Sequence, residues 1–400
     1  MSYDDDAILQ VPWCSDRWEL AILRRPNISF VGGPHRWVLY RPERLLVSKR
    51  ALENRRVRGA LARADADRCD DDAVAVAQEL GLELMRVAED RVVALVSEIN
   101  ELVPCSASLN NVPMPGPHHI HGDDDPDPAD DPRDIPGADG AGEGLRVLVL
   151  DTGYAAGSKT TLNVSGASGQ EEVVDEDNDG LRDPAAGHGT HVSGIVARYA
   201  PGATIIPRRL LTSPVGEADD LEVAAALLQH DGAHIINCSF GEQTFQDEPP
   251  LAIQQALAAL PASTVVVAAS GNGGVATRNW PAAFDRVVAV GAVGLDDGVW
   301  KQTDFSNFGP WVDCCAPGVG IVSTFLTLPD EGFTQGFASW TGTSMASPMV
   351  AGRVAAMATG GGQGIDPGAD LATRAMQAAQ ALEAMPPVGD VGAFVAPPSN

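Results

Sequence analysis

From Leu145 onward the chain alternates short, almost wholly apolar runs with Ala-rich stretches, and this alternation limits the fold more than any other feature. Residues 145–150, 203–211, 233–238, 264–267 and 286–293 read as buried strands, and residues 192–199, 221–230 and 251–260 between them read as helices. A strand that is apolar on both faces needs cover on both faces, which a parallel sheet between helices supplies. The expected fold is therefore α/β, a parallel sheet with helices on both faces. Ligands of such sheets gather at the carboxyl ends of the strands, and Asp151 directly follows the first run.

A second stretch, Gly342-Thr343-Ser344-Met345-Ala346-Ser347-Pro348, leads into an apolar run and puts a hydroxyl at the start of a buried helix. The unpaired N–H groups and the positive end of the macrodipole there favour negative charge, as on an oxyanion. Taken alone, the stretch reads better as an ordinary Ser/Thr N-cap. A serine nucleophile needs a base, and all eight histidines precede Ser344. Gly342-x-Ser344-x-Ala346 is close to the nucleophile elbow of α/β-hydrolases, but in that fold the histidine follows the serine, so the reading fails. Upstream lie Gly187-His188-Gly189-Thr190-His191-Val192-Ser193-Gly194 and the first apolar run, which ends in Asp151-Thr152-Gly153.

The order Asp151, His188, Ser344 is the subtilisin order, and over roughly residues 145–360 the three motifs together resemble the subtilisin-like serine peptidases. The resemblance implies that Ser344 attacks a carbonyl, His188 carries the proton and Asp151 orients the imidazole. Spacing does not choose between His188 and His191; the first histidine is the one that matches the family's base. Two histidines three apart also suit a metal, but the acid of an HExxH motif is missing. Asn272, in Ala268-Ala269-Ser270-Gly271-Asn272-Gly273, matches the family's oxyanion-hole asparagine, although Asn in a Gly-rich turn is otherwise a turn residue. Ser239-Phe240-Gly241 resembles the segment that pairs with an extended peptide or protein substrate, with Ala268, Ala269, Ser270 and Gly271 as the opposite wall. Phe240 reads equally well as core. The chemistry implied needs no cofactor.

Residues 1–103 read as a small α+β unit. Strands are expected at 35–40 and 44–48, helices at 51–64 and 73–80, and a strand pair at 82–86 and 91–96. Residues 104–144, broken by prolines and carrying Asp123-Asp124-Asp125 and Asp130-Asp131, read as a solvated linker before a catalytic domain at 145–400. The resemblance implies a prodomain that assists folding and blocks the site until the linker is cut; an unrelated accessory domain fits residues 1–103 equally well. His118, His119 and His121 lie in this linker, where a specific metal site is not expected. Asp175, Asp177 and Asp179, with Asp183, could converge on a structural Ca²⁺. The loop departs from an EF-hand, with Ala186 at the twelfth position, and the alternative is a solvated acidic loop.

A net charge of −27 argues against nucleic acid or an anionic membrane as partner. Acids near Met1 and the lack of a following apolar core do not resemble a secretory signal, so the expected location is the cytoplasm. The six cysteines are scattered without a CxxC pair, which suits buried free thiols better than zinc or a disulfide framework. The leading expectation is a serine endopeptidase. Its competitors are a non-catalytic peptide-binding or regulatory protein on the same fold, and an esterase using the same three residues.

Overall fold

In the N-terminal part a long strand, β2 (Arg36–Ser48), runs antiparallel to β1 (Ser29–Gly33), β4 (Leu82–Arg86) and β5 (Ala107–Asn111), and β3 (Asp67–Arg68) adds to β4. The computed structural model describes residues 25–397 apart from 34–35, 115–124, 133–139, 156–169, 177, 179 and 214–216. Helices α1 (Lys49–Leu52), α2 (Arg55–Arg63), α3 (Ala73–Glu79) and α4 (Glu89–Leu102) complete this part. Its core gathers Leu45 and Val47 from β2, Val57 and Leu61 from α2, and Val92, Leu95, Val96 and Ile99 from α4.

Several sequence expectations change here. The two short strands at 35–40 and 44–48 are one, because the register against β5 shifts between Tyr40 and Leu45 and so accommodates Pro42. The helix expected at 51–64 breaks before Asn54, whose side chain accepts from Arg56 N and starts α2 afresh. The strand expected at 91–96 is part of α4. Its buried positions 92, 95, 96 and 99 follow the helical period, and Glu89 and Asp90 in the first turn suit the positive end of a helix. The linker expected at 104–144 begins with β5, which pairs along β2.

The rest of the chain supplies β6 (Asp127–Pro128), β7 (Arg146–Asp151), α5 (His188–Tyr199), β8 (Thr204–Arg209), α6 (Asp220–Leu228), β9 (Ile235–Cys238), α7 (Leu251–Ala259) and β10 (Val265–Ala269). Then follow β11 (Val287–Asp296), β12 (Val299–Gln302), β13 (Cys314–Pro317), β14 (Ile321–Thr324), β15 (Phe337–Trp340), α8 (Thr343–Gly360), α9 (Leu371–Glu383) and β16 (Ala393–Phe394). The main sheet has the order β16-β13-β11-β10-β9-β7-β8 with parallel pairings, and β12 joins β11 antiparallel. Strands β7 to β11 fall on the five apolar runs, so the mostly parallel α/β sheet is as expected. Val147 and Val149 of β7 pack with Val192, Ile195 and Val196 of α5 and with Met349, Val350 and Val354 of α8. Each fully buried aliphatic side chain in such a core stabilises it by about 1.5–3 kcal/mol. A smaller sheet, β14-β15-β6, includes linker residues.

By internal contacts the chain forms two units: Met1–Pro113 with Glu217–Gln229 and Glu242–Leu260, and Met114–Gly216 with His230–Gly241 and Pro261–Asn400. Helices α6 and α7 thus belong with the N-terminal elements. Asp219 and Glu222 form a capping box that starts α6, and Arg41 of β2 reaches Glu217, Asp219 and Glu222 at 3.5, 3.4 and 3.6 Å. Next to them Asp220 Oδ2 accepts from both Asn111 N and Nδ2, at 3.0 and 2.8 Å. The other Asp220 oxygen and both oxygens of Glu242 are buried without a donor. A proton held on Glu242 and donated to Asp220 satisfies this pair. Burial pushes both carboxyls above the usual range; Asp219 adds to both, and Asp220 raises Glu242 further. The folded pair therefore binds more protons than the unfolded chain. Its contribution is complete below the ordinary carboxylate pKa of about 4 and is lost as the pH rises through the raised values. Glu242→Gln, whose amide donates without titrating, is expected to flatten this loss, making the unit more stable than wild type in denaturant melts at pH 8.5 but not at pH 5.

Candidate active site

Asp151 ends β7, and its Oδ1 accepts from Thr152 N at 2.8 Å while lying 2.8 Å from His188 Nδ1. With Nδ1–H donating to the carboxylate, the neutral imidazole keeps Nε2 as a bare acceptor, the tautomer a general base requires. His188 is the first residue of α5 and is 4 % exposed. Trp340 of β15 packs edge-on against its ring at 5.2 Å. Gly187, before it, has φ +90, and a Cβ there would overlap the Phe325 ring, so the turn admits no side chain.

The geometry separates the two histidines that spacing left equal. His191 is fully buried, and its Nε2 lies 3.0 Å from Ile321 O and 3.1 Å from Ala338 O. Both acceptors are carbonyls, so Nε2 carries the hydrogen. Burial pushes the His191 pKa down to about 3.

Ser344 is the second residue of α8, and its Oγ donates to Ser239 O at 3.0 Å rather than to His188. Hydroxyl–base bonds are often unformed before substrate binds. The reverse contact has a definite cause. Pro348 has no N–H to return to the carbonyl four residues earlier, which is that of Ser344, and the Ser239 hydroxyl donates to this oxygen at 2.9 Å. Asn272 Oδ1 accepts from Thr343 N and Thr343 Oγ1, both at 2.8 Å. An N–H must face an acceptor, so this fixes the orientation of the amide. Thr343, absent from the sequence expectations, also accepts from Gly271 N through its hydroxyl at 3.1 Å.

Of the expected peptide-binding residues, Gly241 exchanges both backbone bonds with Met114, at 3.0 and 3.1 Å, as one rung of an antiparallel ladder. A Cβ on Gly241 would run into the Asn279 amide, so the segment presents backbone alone there. Phe240 is 1 % exposed and is core, the alternative left open by the sequence. Ala268, Ala269 and Ser270 are likewise buried; Ser270 Oγ donates to Asn307 O.

The acidic loop is less coherent. Asp177 and Asp179 lie outside the described residues, as do His118, His119 and His121. Asp175 Oδ2 accepts from Gly180 N at 3.0 Å. Asp183 is buried, and its Oδ2 accepts from Glu176 N and Ser213 Oγ, both at 2.6 Å, which commits that oxygen to the interior. Among the described residues no three His, Cys, Asp or Glu side chains gather as metal ligands, and no helix is long and apolar enough to cross a membrane. Arg182, which the sequence did not single out, pairs with Asp125 and Glu331 at 3.3 and 3.0 Å and lies over the Phe325 and Phe333 rings.

Comparison with known proteins places the chain in a family. The subtilase family profile matches residues 142–384, and the chain belongs to that family. It is 36 % identical over 234 residues to the thermophilic serine proteinase of Bacillus sp. strain AK1, covering 56 % of this chain and 54 % of that one. It is 33 % identical over 225 residues to subtilisin Savinase of Lederbergia lenta, covering 54 % and 76 %. The chain thus spans about half the length of the first of these relatives. Its fold is similar to that of fervidolysin from Fervidobacterium pennivorans, described as a keratinolytic enzyme related to subtilisin, with TM-score 0.54 and 20 % identity over 80 % of this chain and 55 % of that one.

A neutral, buried His191 makes the fold sensitive to acid. The unfolded chain takes up a proton near pH 6.5 and the folded one only near 3, so stability falls as the pH drops through that window, by up to about 1.4 kcal/mol per unit. His191→Gln is expected to remove this slope, read as a smaller difference in melting temperature between pH 7 and pH 4.5.

Proposed function

We propose that the chain is a serine endopeptidase that hydrolyses peptide bonds through an acyl-enzyme. The observation that carries this is the 2.8 Å contact of Asp151 with His188 Nδ1, at the carboxyl end of β7 and the first turn of α5. The Ser344 hydroxyl leaves Ser239 O, passes its proton to His188 Nε2 and attacks the scissile carbonyl. Asp151 holds the imidazole and stabilises its charged form, and His188 then gives the proton to the leaving amine. The Ser344 N–H, at the positive end of α8, and the Asn272 Nδ2 amide, held by Thr343, are the donors for the oxyanion. Neither the attack nor the breakdown of the acyl-enzyme requires a cofactor.

An extended peptide or protein substrate adds as a strand along Ser239 to Gly241, by backbone bonds of the kind Gly241 makes with Met114. That contact also favours residues 1–103 as an inhibitory prodomain over an unrelated accessory domain: the chain that follows them occupies the edge where a substrate would pair. Cutting of the linker beyond Met114 would then free that edge. The acidic loop at 175–183 carries the further expectation of a structural Ca²⁺, supported only by its density of carboxylates. A higher melting temperature in calcium than in chelator would bear this out, and equal melting would end it.

Treatment with a serine-directed fluorophosphonate, read by intact mass, tests the main proposal. Wild type is expected to gain one adduct and Ser344→Ala none, with loss of hydrolysis. No adduct on folded wild type with the linker cut would overturn the assignment in favour of a non-catalytic peptide-binding protein. Adduct formation with turnover of esters but not of peptides would favour an esterase. Asn272→Ala is expected to lower turnover about 10²–10³-fold with little change in KM, the range known for loss of one such donor in a subtilisin.

A further inference from the structure

We infer that Glu172 is the positioning residue for His188: its carboxylate closes the first turn of α5 and ties it to the segment that leaves Asp151. The inference rests on the triad reading above.

Helix α5 begins without a capping side chain, since its N-cap is Gly187. Its first N–H groups need an acceptor from elsewhere. Glu172 supplies both oxygens. Oε1 accepts from Gly187 N at 3.0 Å, and Oε2 accepts from Thr190 N at 3.3 Å and from Thr190 Oγ1 at 2.8 Å. His188 is held between these two anchored residues.

The same residue is fixed to the other partner. Glu172 N donates to Tyr154 O at 3.3 Å, and Tyr154 N donates to Gln170 O at 3.0 Å, which lays this segment against the residues just after Asp151. The Thr152 hydroxyl bonds the Glu172 carboxylate and accepts from Gly189 N at 2.8 Å, while Thr190 Oγ1 accepts from Ala155 N at 2.9 Å. One carboxylate thus links the segment that leaves Asp151 to the first turn of α5, which carries His188. A misplacement of about 1 Å at such a junction can cost 10²-fold in rate.

The charged neighbour of the Glu172 carboxylate is Asp151, at the end of β7. Burial pushes the Glu172 carboxyl up, and its bonds from Thr152, Gly187 and Thr190 oppose this by favouring the ionised form.

The test compares Glu172→Gln, Glu172→Asp and Thr190→Val with wild type in full-length, processed protein, using one peptide substrate across pH 5–9. Glu172→Gln, whose NH2 meets N–H donors, is expected to lose about 10–100-fold in kcat with KM within twofold. Glu172→Asp, which keeps a carboxylate as acceptor, is expected to recover part of the lost kcat. If Glu172→Gln does not fold, Thr190→Val decides, with a several-fold loss in kcat at constant KM as the expected result. A variant that melts earlier but retains wild-type kcat and KM would reduce Glu172 to a helix cap and overturn the inference. Wild type without a fluorophosphonate adduct on Ser344 would overturn the triad reading and this inference with it.

Discussion

Everything at the candidate site depends on parallel strand direction. Because β7, β9 and β10 run the same way, Asp151, Ser239 and Gly271 emerge at one edge of the sheet, where α5 and α8 begin. The two serines at that edge hold each other: Ser344 Oγ donates to Ser239 O, and Ser239 Oγ donates to the Ser344 carbonyl left open by Pro348. A helix defect is thereby converted into a bond between the turn that carries Ser344 and the adjacent strand. Proline within a helix usually costs about 3 kcal/mol, and here part of that cost is offset by a buried hydrogen bond.

The sheet was legible because burial on both faces leaves a compositional mark, and β7 to β11 fall on the apolar runs that carry it. The order of Asp151, His188 and Ser344 was legible because chain order is one-dimensional. What the sequence hid is what tertiary pairing decides. The choice between His188 and His191 needs to know which ring meets a carboxylate and which meets two carbonyls. Met114 became visible only through its pairing with Gly241, and β5 only through β2, since neither has a periodic pattern long enough to declare itself. The misread α4 shows the converse: a window of six residues fits strand or helix, and only the continuation to Ile99 settles the period.

The acidity of the chain is spent unevenly. Much of it is solvated, yet around α6 it is concentrated and buried, with Arg41 facing three carboxylates and Asp220 and Glu242 left to share a proton. A charge balance taken over the whole sequence gives no hint of this. Isolated buried carboxyls avoid the cost of desolvation by staying neutral, and a pair can do so while still bonding each other.

The cysteines have a practical consequence. Cys238, Cys314 and Cys315 are buried within the sheet of the second unit, where loss of hydration, helped at Cys238 and Cys314 by neighbouring acids, keeps the thiols protonated. Cys105, in the first unit, is exposed. Thiolate is the form that alkylating reagents attack, so the folded sheet is silent to them while an opened one is not. The molecule therefore carries its own gauge of sheet opening, set in strands β9 and β13 and independent of whether Ser344 is active.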